Sequence, residues 1–140
     1  TYNYNIYADD RVIEFGSYTS FVNAFPGTRT IIRTAANGAW DTTFNHGCNQ
    51  PVTRVFPLKS GKLLLYTPFG SSYDGMPVGR LFQIDTAGNL DTNFRTNFPN
   101  GELKPLYEDS LGRIYIGGHT MTNPANVYDT NIMVRLLPNV

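Results

Sequence analysis

The 140 residues are 41% apolar and 14% aromatic, a composition that supports one packed domain spanning 1–140 and argues against a disordered chain. Eleven basic residues balance eleven acidic ones, and no run of adjacent cations exists, so a nucleic-acid partner is not expected. Neither a basic amphipathic helix nor an apolar stretch of about 18 residues can be drawn, so no membrane contact is expected.

The chain opens on Thr1 rather than Met, without a visible signal peptide, which is expected of a processed or excised product. A first strand is predicted over residues 4–7, then a polar turn at Asp9-Asp10-Arg11 and a second strand through Phe15. A loop over 17–28 leads to a strand over 30–33 and the turn Asn37-Gly38-Ala39-Trp40-Asp41-Thr42-Thr43-Phe44. The same order then returns. A strand over 52–58 precedes Ser60-Gly61-Lys62 and the apolar run 63–66. A loop over 68–79 leads to a strand over 80–84 and to Gly88-Asn89-Leu90-Asp91-Thr92-Asn93-Phe94. The third pass has a strand over 103–107, the turn Leu111-Gly112-Arg113, a strand over 114–116, a loop over 119–130 and a strand over 131–137.

The spacing shows that these are copies of one unit. The basic turn residues Arg11, Lys62 and Arg113 are separated by 62−11=51 and 113−62=51 residues, and Gly38 and Gly88 by 88−38=50. Repeats of about 1–50, 51–101 and 102–140 follow. No segment keeps a 3.6-residue apolar period over helical length, so the fold class is all-β. About three tandem, four-stranded, blade-like antiparallel sheets are expected.

Turn chemistry explains the repeated residues. Gly38 and Gly88 stand where a two-residue hairpin would require positive φ, and Gly61 and Gly112 punctuate the earlier turn. Asp41 and Asp91 can accept a bond from the backbone N–H two residues on, as in an Asx-turn. Phe44 and Phe94 would anchor the closing segment in an apolar layer, each worth roughly 1.5–3 kcal/mol of burial. The alternative, a cation or polymer bound at each Asp-Thr pair, has too few oxygen ligands per loop.

The order of these motifs resembles the delta-60 repeat family of β-propeller-like modules. Ser60-Gly61-Lys62-Leu63-Leu64-Leu65 and Leu111-Gly112-Arg113-Ile114-Tyr115-Ile116-Gly117-Gly118 look like the first half of that repeat. Gly88-Asn89-Leu90-Asp91-Thr92-Asn93-Phe94 looks like the second, with Ile32-Arg33 and Val134-Arg135 on the preceding strand. The resemblance covers nearly the whole chain and is most degraded over residues 8–16. Gln83 stands where the strand arginine is expected, and Thr67-Pro68 where Gly-Gly is. The family implies a β-propeller or propeller fragment of bacterial surface or phage virion proteins, with no defined catalytic set. Trp40-Asp41 also looks like the dipeptide of Trp-Asp-repeat propellers, but the second copy has Leu90-Asp91 and no Gly-His pair precedes either.

Catalytic chemistry has no positive sign. His46-Gly47-Cys48 is the only local pair of metal-ligand type, and the other histidine, His119, lies in another repeat, short of the four ligands zinc takes. Cys48 has no second cysteine to pair with. Gly70-Ser71-Ser72-Tyr73-Asp74-Gly75 lacks the Lys-Ser/Thr ending of a phosphate loop and reads as a hairpin tip. No catalytic residue, metal or cofactor is therefore expected.

The loop aromatics are the better functional clue, as a contact surface, although filling gaps between sheets is weighed ahead of it. Tyr18, Phe21, Phe25, Tyr73 and Tyr128 lie in or beside the three variable loops, among Ser, Asn and Gly, as in adaptable recognition surfaces. The competing use of these rings is to fill gaps between sheets. Propellers usually hold four to eight blades, so three repeats would leave open faces and edges for self-association or assembly neighbours. The expected function is a non-catalytic structural or recognition module of a phage virion or tail, or of a bacterial surface. A lectin-like module binding a cell-surface glycan and a propeller hydrolase are the alternatives. The expected location is extracellular, at the cell surface or in a virion.

Overall fold

The structure, a computed structural model, describes residues 3–6, 10–18, 29–68, 71–94, 102–123 and 126–136. The described residues form strands and turns without a helix. The strands are β1 (Asn3–Ile6), β2 (Val12–Tyr18), β3 (Arg29–Thr34), β4 (Arg54–Pro57), β5 (Leu63–Tyr66), β6 (Ser71–Tyr73), β7 (Met76–Val78), β8 (Leu81–Ile84), β9 (Glu102–Glu108), β10 (Ile114–Asn123) and β11 (Asn126–Leu136). They form three antiparallel sheets of three strands, β1-β2-β3, β4-β5-β8 and β9-β10-β11, with the β6-β7 hairpin inserted in the second. We refer to them as the first, second and third sheets.

The expected fourth strand is reduced to a single bridge. Thr34 pairs with Trp40 and Ile84 with Leu90, and there the ladder stops. The cause is local: Asp41 and Asp91 donate their N–H groups back to the carbonyls of Arg33 and Gln83, then turn the chain so that Phe44 and Phe94 donate to the carbonyls of Asp41 and Asp91. A segment folded into a turn cannot extend a ladder. The third variable loop is also corrected, because the register of β10 with β11 continues from Ile114↔Leu136 to Asn123↔Asn126 across 119–130.

The glycine turns are three-residue loops, not the two-residue loops expected at Gly38 and Gly88. In each, the third loop residue bonds back to the residue before the loop, whose own N–H bonds to the carbonyl after it: Gly38 to Ala35, Gly61 to Leu58, Gly88 to Asp85 and Gly112 to Asp109. The φ angles of these glycines are 84°, 90°, 94° and 78°, the left-handed residue that closes a type I turn with a bulge. The degraded first repeat keeps the left-handed position with another residue. Asp10, at 61−51=10, has φ 65°, one of the few side chains tolerated there.

The sheets stack face to face. Ile13, Phe15 and Ile31 of the first sheet pack with Leu63, Leu65, Phe82 and Ile84 of the second. On the opposite side of the second sheet, Leu64, Tyr66 and Leu81 pack with Leu103, Ile114 and Ile116 of the third. Every residue of β5 and β8 is consequently buried, which explains the unbroken apolar run at 63–66: a strand covered on both faces has no polar alternation to show. Phe44 belongs to the first interface, and the partly buried Phe94 lies against the second.

Candidate functional site

The repeated Asp stations are the most organised polar sites among the described residues. At Asp41, Oδ1 accepts the Thr43 N–H at 3.0 Å and the Thr43 hydroxyl, and Oδ2 accepts Arg33 Nε at 2.7 Å. Asp91 repeats the first half, taking the Asn93 N–H at 3.0 Å. Its Oδ2 accepts Gln83 Nε2 at 2.9 Å and Lys62 Nζ at 3.0 Å. Where the strand arginine is missing, an amide supplies the hydrogen bond and the turn lysine supplies the charge. Desolvation pushes both carboxyls up, but the Thr43 hydroxyl and Arg33 at Asp41, and Lys62, the Asn93 N–H and Gln83 at Asp91, bring them below the usual carboxylate range.

Asp109 is a third station, in the turn between β9 and β10. It accepts the N–H groups of Leu111 at 2.9 Å and Arg113 at 3.0 Å, Arg113 Nε at 2.6 Å and the Tyr115 hydroxyl at 3.1 Å. Desolvation opposes this, but these donors bring its pKa down to about 2. All three carboxylates are occupied by neighbouring donors, which makes them turn locks.

A fourth cluster joins the first repeat to the second. Arg33 reaches past Asp41 to donate to the Thr86 carbonyl at 2.7 Å, and its guanidinium lies 4.9 Å from the Phe44 ring centre. His46 Nδ1 lies 2.6 Å from Asp74 Oδ2, and Nε2 lies 3.0 Å from the Ala87 carbonyl. The His46 ring stacks on Tyr73 and meets Phe44 edge-on. Asp74 further accepts the Gly47 N–H at 2.9 Å and donates its own N–H to the Gly47 carbonyl at 2.8 Å. Asp74 and Gly75 both have positive φ, 50° and 80°, as an Asp-Gly type I′ hairpin tip requires. The tip expected at 70–75 is thus fastened to the closing segment of the preceding repeat. No spacing in the sequence marks the His46–Asp74 pair, because the contact is made by stacking.

Tyr73 requires a correction. Expected as a surface contact residue, it has 0% exposure, and its hydroxyl donates to the Gly88 carbonyl at 2.5 Å. A buried phenol needs a partner for its O–H, and the closing turn supplies one. Phe21 and Phe25 lie outside the described residues. Tyr18 and Tyr128 fall on strands β2 and β11 rather than in loops, with side chains outside the described ones. Cys48 is buried in the first interface and its backbone bridges to Tyr73. Among the described residues no three His, Cys, Asp or Glu side chains are grouped.

Described residues line two recesses. One, of about 370 Å³, runs from Met76 and Val78 on the hairpin to Leu90, Asp91 and Phe94 on the second closing turn. The other, of about 360 Å³, brings Phe15 and Val55 together with Arg54 and Lys104. Arg54 and Lys104 hold equivalent ladder positions, opposite Tyr66 and Gly117. Among the described residues the most exposed large apolar groups are Leu111, at 65% in the turn between β9 and β10, and Tyr107, at 58% near the end of β9. No family model, curated protein or solved structure matches the chain.

Proposed function

We propose that this chain is a non-catalytic structural or recognition module of stacked β-repeats that works as a component of a larger assembly. In this reading the three sheets are blades of a β-propeller or propeller fragment, diverged from repeats of the delta-60 type. A virion, phage tail or bacterial surface is the setting that fits it, outside the cell. Its partners are other protein chains.

The observation that carries the reading is the unequal treatment of equivalent faces. The second sheet is buried on both sides by its neighbours, and each interface holds a closing-turn phenylalanine. The third sheet turns Arg135 outward to solvent where its counterparts Arg33 and Gln83 are buried, and exposes Tyr107 where Phe56 of the second sheet packs into an interface. Stacked repeats of this kind reach full stability when terminal faces are capped or joined. The test is molar mass by light scattering across a concentration series. A folded species heavier than one 15.7 kDa chain is expected; a folded monomer at every concentration would refute the assembly reading.

A further inference from the structure

We infer that the outward face of the third sheet docks on the outward face of the first sheet of a second copy of this chain, repeating the stacking found inside the molecule. This rests on the assembly reading above and specifies its surface.

The internal interfaces provide the template. Ladder registers place Ile13, Leu64 and Tyr115 at one position of the repeat, and Arg33, Gln83 and Arg135 opposite them. In the first two sheets this face points to the next sheet: Ile13 and Leu64 are fully buried, and Arg33 donates to the Thr86 carbonyl in the turn of the following repeat. In the third sheet the same face carries Tyr115 with Tyr107 6.0 Å away, and an exposed Arg135. The preceding turn also reaches forward in the internal case. Leu58 packs into the second interface and the Lys59 N–H donates to Glu108 at 2.7 Å. Its counterpart in the third repeat presents Leu111 at 65% exposure. Tyrosine, arginine and leucine on one solvent-facing end form an apolar centre with a cationic member, as interfaces do.

Among its described residues the receiving face carries a carboxylate, Glu14, beside the buried Ile32. On the side of each sheet that meets the preceding repeat, Leu65 and Ile116 are buried aliphatics, and the first sheet has Glu14 at that position, half-buried. Stacked in the internal manner, Glu14 of the second copy would lie over the stretch from Tyr115 to Gly117. Tyr115 is paired directly with Arg135, and glycine at 117 leaves space. Cation on one end and carboxylate on the other favour head-to-tail docking over pairing of like ends. The counterpart of Thr86, whose carbonyl receives Arg33, is Ala36 in an exposed turn, the corresponding target for Arg135. Used twice, the contact closes two chains of three sheets into a six-bladed ring, within the four to eight blades of known propellers.

The experiment measures the association midpoint by light scattering for the whole chain and its charge variants. The wild type is expected to reach twice the 15.7 kDa chain mass. Arg135→Glu and Glu14→Arg should each raise the midpoint concentration by at least about ten-fold, and the two together should restore it to within about three-fold. Tyr107→Glu, at an exposed side chain, is the second variant should Glu14→Arg not fold, and it should weaken association similarly. Dimers that form equally well in all single variants would overturn this surface and leave the assembly reading standing. A folded wild-type monomer throughout would overturn both.

Discussion

The closing turns of the first and second repeats share their backbone and differ in what lies above them. Gly38 and Gly88 both close a three-residue loop at φ near 90°. A Cβ on Gly38 would meet nothing within 4 Å, whereas a Cβ on Gly88 would lie 2.5 Å from carbons of both the Phe44 and the His46 ring. The second turn is roofed by the closing segment of the first repeat; the first turn is open. One local sequence device therefore serves two energetic roles: at Gly38 only the backbone conformation demands glycine, and at Gly88 the packing of the next layer demands it too.

This comparison is sharpest in a pair of substitutions. Gly88→Ala combines a left-handed alanine with overpacking against two rings and should cost about 3–5 kcal/mol. Gly38→Ala carries the conformational term alone and should cost about 1–2 kcal/mol. Urea unfolding of both variants checks the difference; equal losses would show that the roof over Gly88 yields freely.

The Asp stations extend the comparison at smaller scale. Arg33 is almost fully buried and serves Asp41, Phe44 and the Thr86 carbonyl together. Arg33→Met should therefore lower stability by about 2–3 kcal/mol. In the second repeat the work is divided, and Lys62 is 37% exposed. Screening by solvent limits the loss in Lys62→Met to about 0.5–1 kcal/mol. Denaturant midpoints rank the two, and a larger effect at Lys62 would mean that Gln83 cannot hold Asp91 alone.

The smallest effect is the pH response of the Asp109 turn. Its folded pKa of about 2 lies below the ordinary aspartate value near 3.8. A depressed carboxylate stabilises the fold fully above the unfolded pKa, and that contribution is lost as pH falls through the folded one. The loss should thus run from about pH 4 to pH 2. Asp41 and Asp91, also lowered, add to it in the same direction. Thermal unfolding from pH 6 to pH 2 should show a shallower decline in Asp109→Asn than in the wild type. An identical profile would remove Asp109 from the acid response.

Much of this was legible in the order of residues because it is local. Left-handed glycines at 50- and 51-residue steps, an Asp two residues before a backbone N–H, and an apolar phenylalanine at the turn's end act within a few residues of chain. The all-β class and the repeat follow from them. The loop length at Gly38 and Gly88 was misjudged because a type I turn with a bulged glycine needs the same positive φ as a two-residue loop, and at the first turn uses the same Asn37-Gly38 pair. The fourth strand was overcounted for a related reason, since Trp40 and Leu90 look strand-like until the Asp turn immediately after them ends the ladder. Tyr73 was placed on the surface because its Ser, Asp and Gly neighbours are those of an exposed tip, and only the tip's attachment to Gly47 and His46 turns the ring inward.

The chain's own order of amino acids determined the repeated turn chemistry and the strands it separates, since hydrogen bonds within a few residues specify them. Tertiary structure alone decided which face of each sheet is covered, that Lys62 stands in for the arginine missing at 83, and that His46 meets Asp74. Those outcomes depend on contacts between residues 28 to 53 positions apart in the chain, where burial and charge pairing are settled by the neighbouring segment and leave no periodic trace along the sequence.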